Sequence, residues 1–455
     1  LDRALLAAVA RPRLAVVGDY PPDAPPAVVD VASLPRWTIG GYREDGQFGS
    51  PLVSVGDTNG DGRPELAIYD IRGDTTYLVD ADTRDGAVSI ADPHIASLRL
   101  PHVGSMKPVV AAGDVDGDGR QDIVVLDAPP GLRQPGARVV LGRASGGVVD
   151  VTQPGAAYLA ILGPRGCRGV QSIRDVVAAG DTDGDGVGDL VVASTCRDAT
   201  ALWVVPGGRG PGTITLGVGD GRAFALARSS REMSVAALGD VNGDGLGDVA
   251  VGTHVGHGAR VTVVFGAAAH TPVGLARPGG RGFVIAAGSC RDLYPAGPAG
   301  DVNGDGRGDV LITTGDGCPE AAAFVVFGTS ATGRATLATL VRDGGGISLD
   351  TPASALGGDA TGDRLADLLV IGQDNVTYLV AGRREPGAVE MRRLGAGGRG
   401  YRVPTGAPGS FVGDVVGVPD IDGDGRLELA FATPYLTSGG LASAGAVQVL
   451  GSRSG

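Results

Sequence analysis

Hydrophobic positions along this chain fall in short runs separated by clusters of Gly, Asp and Pro, and the runs recur in a fixed order. The order is clearest between residues 109 and 162. Val109 to Gly113 is a strand of small residues, and an acidic loop follows it. Ile123 to Leu126 is a continuous, mostly β-branched run, the pattern of a strand buried on both faces. After a loop from Pro129 to Gly136 come a third strand, Arg138 to Leu141, and a fourth, Tyr158 to Leu162. Second strands read again at Leu190 to Ala193, Val249 to Val251, Val310 to Ile312 and Leu368 to Ile371. Third strands read at Leu202 to Val205, Val261 to Phe265, Phe324 to Phe327, Tyr378 to Val380 and Val447 to Leu450. Fourth strands read at Phe224 to Leu226, Phe283 to Ile285, Ile347 to Leu349 and Tyr401 to Val403.

The same acidic loop separates the first run from the second each time. Counted from Asp114, acidic side chains stand at the first, third, fifth and ninth positions, with Gly119 at the sixth. Hard cations take many oxygen ligands, so alternate carboxylates, a backbone carbonyl at the seventh position and a glycine at the sharp turn suit one Ca²⁺. The ligands expected here are Asp114, Asp116, Asp118, the carbonyl of Arg120, and Asp122. Five further copies supply Asp57, Asn59, Asp61, Arg63 and Glu65; Asp181, Asp183, Asp185, Val187 and Asp189; Asp240, Asn242, Asp244, Leu246 and Asp248; Asp301, Asn303, Asp305, Arg307 and Asp309; and Asp420, Asp422, Asp424, Arg426 and Glu428. About six structural Ca²⁺ are expected. A seventh copy keeps Asp359, Asp363 and Asp367 but has Thr361 at the third position and Arg364 in place of the turn glycine. A bulky cation where positive φ is favoured is expected to leave that site empty or weak. The loops begin 57 to 67 residues apart. Seven units of four antiparallel strands, with a tight turn at each loop, predict an all-β fold: a seven-bladed β-propeller with Ca²⁺-binding loops between strands 1 and 2 of each blade. The first strand is the richest in small residues, as at Ala111-Ala112, Ala178-Ala179 and Ala236-Ala237, which suits a centre where seven strands converge.

Residues 1 to 36 lie outside the period and read as an N-terminal extension, with a helical turn at Leu5 to Ala10, a short strand at Leu14 to Val17 and a stiff linker at Pro21 to Pro26, or alternatively as a fragment of an eighth blade. Residues 37 to 455 read as the propeller. Trp37 to Ile39 is a fourth strand with no first strand before it, and Val447 to Leu450 is a third strand with only a few polar residues after it. The N- and C-terminal strands are therefore expected to pair in one blade and close the ring.

The formal charge of −13 fits this picture, because 24 of the 51 acidic residues occupy ligand positions of the seven loops. Six Ca²⁺ would bring the balance to about −1, so the acidity points to metal loading, and no basic patch invites nucleic acid. The 80 Gly and 29 Pro punctuate the apolar runs at regular intervals, as turns do. No run approaches the roughly 20 apolar residues of a transmembrane helix. The chain begins at Leu1, so a signal peptide is expected to have been removed or to lie outside this sequence.

Four cysteines allow three pairings. Cys167 and Cys196 flank the loop at Asp181, and Cys290 and Cys318 flank the loop at Asp301. Pairing within each blade is the economical choice, with free buried thiols as the alternative. Each bridge would close a loop of roughly 30 residues and add about 3 to 4 kcal/mol by chain entropy. Disulfides need an oxidising compartment, and weak Ca²⁺ sites need abundant calcium. Both favour an extracellular protein, secreted or attached to the cell surface.

Phe48-Gly49 followed by Gly56 to Gly62, and Gly239 to Gly245 with Val251-Gly252, resemble FG-GAP repeats, the family that forms the propeller of integrin α-subunits. The resemblance covers about residues 37 to 455 and is strong in the loops. Phe-Gly precedes the loop only at residues 48 and 49, and Gly-Ala-Pro after the second strand is never intact. The resemblance implies a Ca²⁺-bearing propeller used for adhesion or ligand recognition. A protein or glycan partner is expected on the face opposite the calcium loops, where connections vary in length, with Arg174, Arg231, His254 and Arg291 as candidate contacts. The alternative function is a polysaccharide-acting enzyme of the calcium-dependent lyase type, in which a basic residue takes a proton beside a uronate carboxylate. No nucleophile elbow, phosphate loop or His-Glu-x-x-His is present, and aromatics make up only 4% of the chain. Arg72-Gly73-Asp74 and Arg307-Gly308-Asp309 spell an adhesion tripeptide, expected by chance in so Arg-, Gly- and Asp-rich a chain. His254 and His257 could share a metal but have no evident third ligand.

Overall fold

The computed structural model describes residues 36–451 apart from 82–85, 102–108, 128–135, 145, 152, 154–157, 166–172, 197–198, 209, 220, 230–232, 254–258, 289, 291, 316–317, 319–320, 356, 372–376, 391–399 and 404–412. Its strands form seven sheets, each an antiparallel meander that runs outward from an inner strand. Blade I begins at Phe48–Gly56, II at Val109–Gly113, III at Ile173–Gly180, IV at Met233–Gly239, V at Leu293–Gly300, VI at Ala353–Ala355 and VII at Val415–Val418. Among the second strands, Glu65–Asp70, Asp248–Thr253 and Glu428–Thr433 are buried along their whole length, as their mostly apolar runs require.

Hydrophobic packing lies between the blades. Seven core clusters each draw on two neighbouring blades, and together they run around the whole ring. Leu369 and Leu379 of blade VI meet Leu429, Phe431 and Leu450 of blade VII. Trp37, Ile39, Val447 and Val449 of blade VII meet Phe48, Leu66 and Tyr77 of blade I. No blade could bury its faces alone, so the ring is the smallest unit with a complete core. Closure is made by the ends of the described chain: Arg36–Gly40 is the outer strand of blade VII and pairs antiparallel with Ala446–Leu450 from Arg36↔Leu450 to Gly40↔Ala446. The fold is an all-β propeller.

Two features differ from the four-strand pattern. Five sheets carry a fifth strand, paired parallel to the outer strand and donated by the next blade's connection between its third and fourth strands. Gly86–Ser89 of blade I lies on Arg36–Gly40 of blade VII, and Gly147–Val148 of blade II lies on Ala96–Pro101 of blade I. The same overlap recurs at Gly212–Thr215, Gly333–Thr336 and Gly387–Val389. These straps cover outer edges that would otherwise offer unpaired backbone groups to another chain. The second feature is a short helix, Leu337–Arg342, in the corresponding connection of blade V, started by a Thr336–Thr339 capping box and anchored by buried Leu337.

Cys290 and Cys318 are joined, linking the residues that enter the inner strand of blade V to those that leave its second strand, as the within-blade pairing expected. Cys196 is also disulfide-bonded, while Cys167 lies outside the described residues.

Candidate metal centres

Loops I to VII (residues 57–65, 114–122, 181–189, 240–248, 301–309, 359–367 and 420–428) join inner to second strands, so all seven stand on one face of the ring. Each is wound around the carboxylate of its first aspartate. In loop I, Asp57 Oδ1 accepts from the N–H groups of Gly60 and Asp61 at 2.6 and 3.2 Å, and Oδ2 accepts from Gly62 at 2.8 Å. Asp114, Asp181, Asp240, Asp301 and Asp420 repeat this arrangement with their own fourth to sixth residues. The fifth side chain then accepts from the seventh N–H, as Asp118 does from Arg120 at 2.9 Å and Asp305 from Arg307 at 3.0 Å. That bond fixes the peptide that leads into the residue whose carbonyl is the expected seventh-position ligand, and the same pairing joins Asp61 to Arg63, Asp185 to Val187, Asp244 to Leu246 and Asp424 to Arg426.

In every loop but VI the ninth residue is the first of the second strand, and it is buried in all seven. Glu65, Asp122, Asp189, Asp248, Asp309 and Glu428 expose 1% or less of their surface. Asp309 Oδ2 accepts the Val302 N–H at 2.9 Å and Oδ1 the Gly328 N–H at 2.8 Å, which ties the loop to the second residue after the third strand. Asp122, Asp189 and Asp248 make the same two bonds. Burial pushes the carboxyls of Glu65, Asp248 and Asp309 up to about 7 and that of Asp122 up to about 6, against the pull of these hydrogen bonds. Asp189 is raised for the same reason. A buried carboxyl held this high is a group that a cation would ionise, and an all-oxygen donor set suits a hard one.

The loops gather these groups to different degrees. In loop VII, Asp420, Asp422, Asp424 and Glu428 each offer an oxygen within 4.8 Å of the others, and in loops I, II and III three carboxylates do so: Asp57, Asp61 and Glu65; Asp114, Asp116 and Asp122; Asp181, Asp183 and Asp189. Asp118 is drawn instead to the Arg120 guanidinium at 2.8 Å. In loops IV and V the third-position amides, Asn242 and Asn303, donate to Asp244 and Asp305 at 2.8 and 3.1 Å. Loop VI keeps the same turn despite its changed residues. Asp359, Asp363 and Asp367 converge within 4.8 Å, and Arg364 takes φ +68° and donates to Asp359 Oδ2 at 2.6 Å as the turn glycine does elsewhere. The substitution therefore leaves the backbone cradle intact, at the strain cost of a non-glycine residue in the left-handed region.

Two groups that the loop pattern did not reveal come from other connections. His270, from blade IV, stacks on Phe224 with ring centroids 4.3 Å apart and places Nε2 3.0 Å from Asp183 Oδ2. Asp80, at the end of the third strand of blade I, accepts from Asn59 at 3.1 Å, and burial raises its carboxyl. Neither has a counterpart at a fixed spacing in the other repeats.

Backbone bonds lace the loops together. The eighth N–H of each loop donates to the carbonyl of the first aspartate in the preceding loop: Gln121 to Asp57, Gly188 to Asp114, Gly247 to Asp181, Gly308 to Asp240, Ala366 to Asp301 and Leu427 to Asp359, at 2.7 to 2.9 Å. The approach is close enough that a Cβ on Gly247 would lie 2.0 Å from the Ala179 carbonyl. The one remaining eighth position is Pro64, which has no N–H to give, so the lacing stops between blades VII and I.

On the opposite face, Arg174 is exposed as the second residue of the inner strand of blade III. Arg231, His254, His257 and Arg291 lie outside the described residues. Arg72-Gly73-Asp74 forms a turn in which Gly73 donates to Asp70 and Tyr69 donates to Asp74. Arg307-Gly308-Asp309 is part of loop V with Asp309 buried, so that copy presents no free acidic tip.

No protein-family model and no curated protein matches the chain. Solved structures similar to it include BBS1N in complex with ARL6DN, 11% identical over 90% of this chain and 97% of that one, with a TM-score of 0.39. An exotype rhamnogalacturonan lyase, YesX, is 15% identical over 92% of this chain and 75% of that one, TM-score 0.39. The Dos1 propeller is 9% identical over 86% and 64%, TM-score 0.27. These likenesses concern the fold and not the chemistry of any site.

Proposed function

We propose that the chain is an exported, calcium-stabilised propeller that recognises a protein or glycan ligand on the face opposite its metal loops, in the manner that the FG-GAP resemblance implies. The observation that carries this reading is the backbone turn shared by all seven loops around a first aspartate and a buried ninth carboxylate, with acidic oxygens converging in five of them. Bound Ca²⁺ would neutralise these carboxylates and hold the inner and second strands of each blade in register. Export is supported by the Cys290–Cys318 bridge and the bonded Cys196.

The far face supplies the apolar surface that recognition needs. Of the five large hydrophobic side chains exposed among the described residues, Ile71, Tyr294 and Tyr435 stand where second strands end or inner strands begin, on the same face as Arg174. Aromatic and Arg side chains are the usual anchors of interfaces. A screen of the Ca²⁺-loaded protein against glycan and extracellular-protein arrays tests the proposal. A ligand whose binding is lost in an Arg174→Ala, Tyr294→Ala, Tyr435→Ala triple variant of unchanged calcium content supports it. Binding that survives these changes and fails when the loop face is altered places the ligand on the wrong side for this account.

A further inference from the structure

On the metal-loop face one groove stands apart in size. It lies between the connection from the third to the fourth strand of blade V and the turn at residues 381–386 of blade VI, with loop V as its floor, and holds about 540 Å³. The other cavities described hold about 30 Å³ or less. Small-ligand sites typically run from about 300 to 1,000 Å³, and this groove falls in that range. Asn303 and Asp305 line it from the loop, Phe327, Thr329 and Leu340 from blade V, and Arg384 from blade VI.

Arg384 gives the groove its chemistry. In loops I, IV and VI the space beside the fourth-position glycine is filled by the seventh residue of the next loop, which is an arginine: Arg120 beside Gly60, Arg307 beside Gly243, Arg426 beside Gly362. Beside Gly304 of loop V that residue is Leu365, and the cation comes from elsewhere: Arg384 Nη2 stands 3.1 Å from where a Cβ of Gly304 would lie. Whereas Arg120 is paired with Asp118, Arg384 is exposed and has no ion-pair partner among the described residues. A free guanidinium offers two parallel N–H groups, which match a carboxylate.

Charge in the floor points the same way. Loop V has Asn303 where loops II, III and VII have an aspartate, so its first, third, fifth and ninth positions carry three carboxylates instead of four. With one divalent cation held there, the loop would keep a net charge of about −1 instead of about −2, which weakens the repulsion of an incoming anion. Thr329 and the Asn303 amide add hydrogen-bonding groups, and Phe327 and Leu340 add an apolar wall.

We propose that this groove binds a small carboxylate, an acidic monosaccharide or a simple organic acid, with the carboxylate on Arg384 and the remainder of the ligand against Phe327 and Leu340. The charge argument rests on loop V holding Ca²⁺ as proposed above; the groove and the free arginine do not. The site is separate from the far-face surface and adds a second ligand class.

The Ca²⁺-loaded protein is titrated calorimetrically with glucuronate, acetate and glucose, and its calcium content is measured on the same sample. Saturable binding of glucuronate or acetate in the millimolar range, with glucose inert and Arg384→Ala weakening the affinity about tenfold or more at unchanged calcium content and melting temperature, is the expected result. Glucuronate binding tighter than acetate assigns the sugar ring to the groove; equal binding assigns the carboxylate alone, and both support the proposal. Glucose binding as tightly as glucuronate, wild-type affinity in Arg384→Ala, or no saturation by either acid up to about 50 mM overturns it. Full calcium content without acid binding rejects the groove alone, whereas acid binding without calcium rejects the metal reading and leaves the groove standing.

Discussion

Replacing Asp309 by Ala should cost far more stability than replacing Asp305 by Ala, although both sit in loop V and both are expected metal ligands. Asp305 is exposed, and its carboxylate serves the Arg307 N–H at the protein surface, where water can take its place. Asp309 is fully buried and accepts two backbone N–H groups, from Val302 and Gly328, at 2.9 and 2.8 Å. Truncation at 309 leaves both donors without a partner, and a buried orphan costs about 1 to 3 kcal/mol, so the pair amounts to about 2 to 6 kcal/mol. In saturating Ca²⁺ each variant would forfeit the same ion, and that common loss cancels in the comparison. The gap in urea-unfolding free energy between the two variants at pH 8 should therefore be about 2 to 6 kcal/mol, with Asp305→Ala the more stable. A gap below about 1 kcal/mol, with equal calcium content in the two variants, would refute the claim that the ninth carboxylate holds the loop to its blade.

Other expected outcomes are simpler to state. Burial lifts the ninth carboxyls to about 6 for Asp122 and about 7 for Glu65, Asp248 and Asp309, so the metal-free fold keeps their contribution below the unfolded carboxyl value near 4 and loses it as the pH rises through 6 to 7. A cation needs the ionised form, so the rise in melting temperature on adding Ca²⁺ should be larger at pH 7.5 than at pH 5; an equal rise at both would contradict these assignments. Cys290→Ser opens a bridge spanning 28 residues and should lower stability by about 3 to 4 kcal/mol, read by urea unfolding with and without reductant. Deleting residues 1–41 removes the strand paired with Ala446–Leu450 and the buried side chains of Trp37 and Ile39, worth about 1.5 to 3 kcal/mol each, whereas deleting 1–30 leaves them in place. The longer deletion should lower the melting temperature much more, and equal effects would contradict closure by the terminal strands.

Some of this architecture could be read from the chain because it is written in local pattern. Ile123 to Leu126 and Leu368 to Ile371 are apolar without interruption, so their burial on both faces follows from composition. Trp37 to Ile39 is a fourth strand without its blade, and the last unit ends on a third strand at Val447 to Leu450, which made their pairing an arithmetical consequence of the repeat. The straps were not legible, since Gly147–Val148 and Gly387–Val389 are too short to show a period and are strands only because an outer edge lies beside them. At the metal loops the spacing of the aspartates named the donors. It did not show that the ninth belongs to the strand, nor that Arg364 can hold a glycine's backbone conformation. His270 and Arg384 reach loops III and V from connections that vary between repeats, and Asp80 reaches loop I from the end of a third strand, so only the folded ring brings them there.

Calcium content is the most direct measure of the central claim. The purified protein, dialysed against millimolar Ca²⁺ with the dialysate as the blank, should hold about six ions per chain by elemental analysis, with loop VI the weakest and the first to empty as the calcium is lowered. Fewer than about three ions per chain would contradict the account, because the six intact loops share one backbone turn and one buried ninth carboxylate.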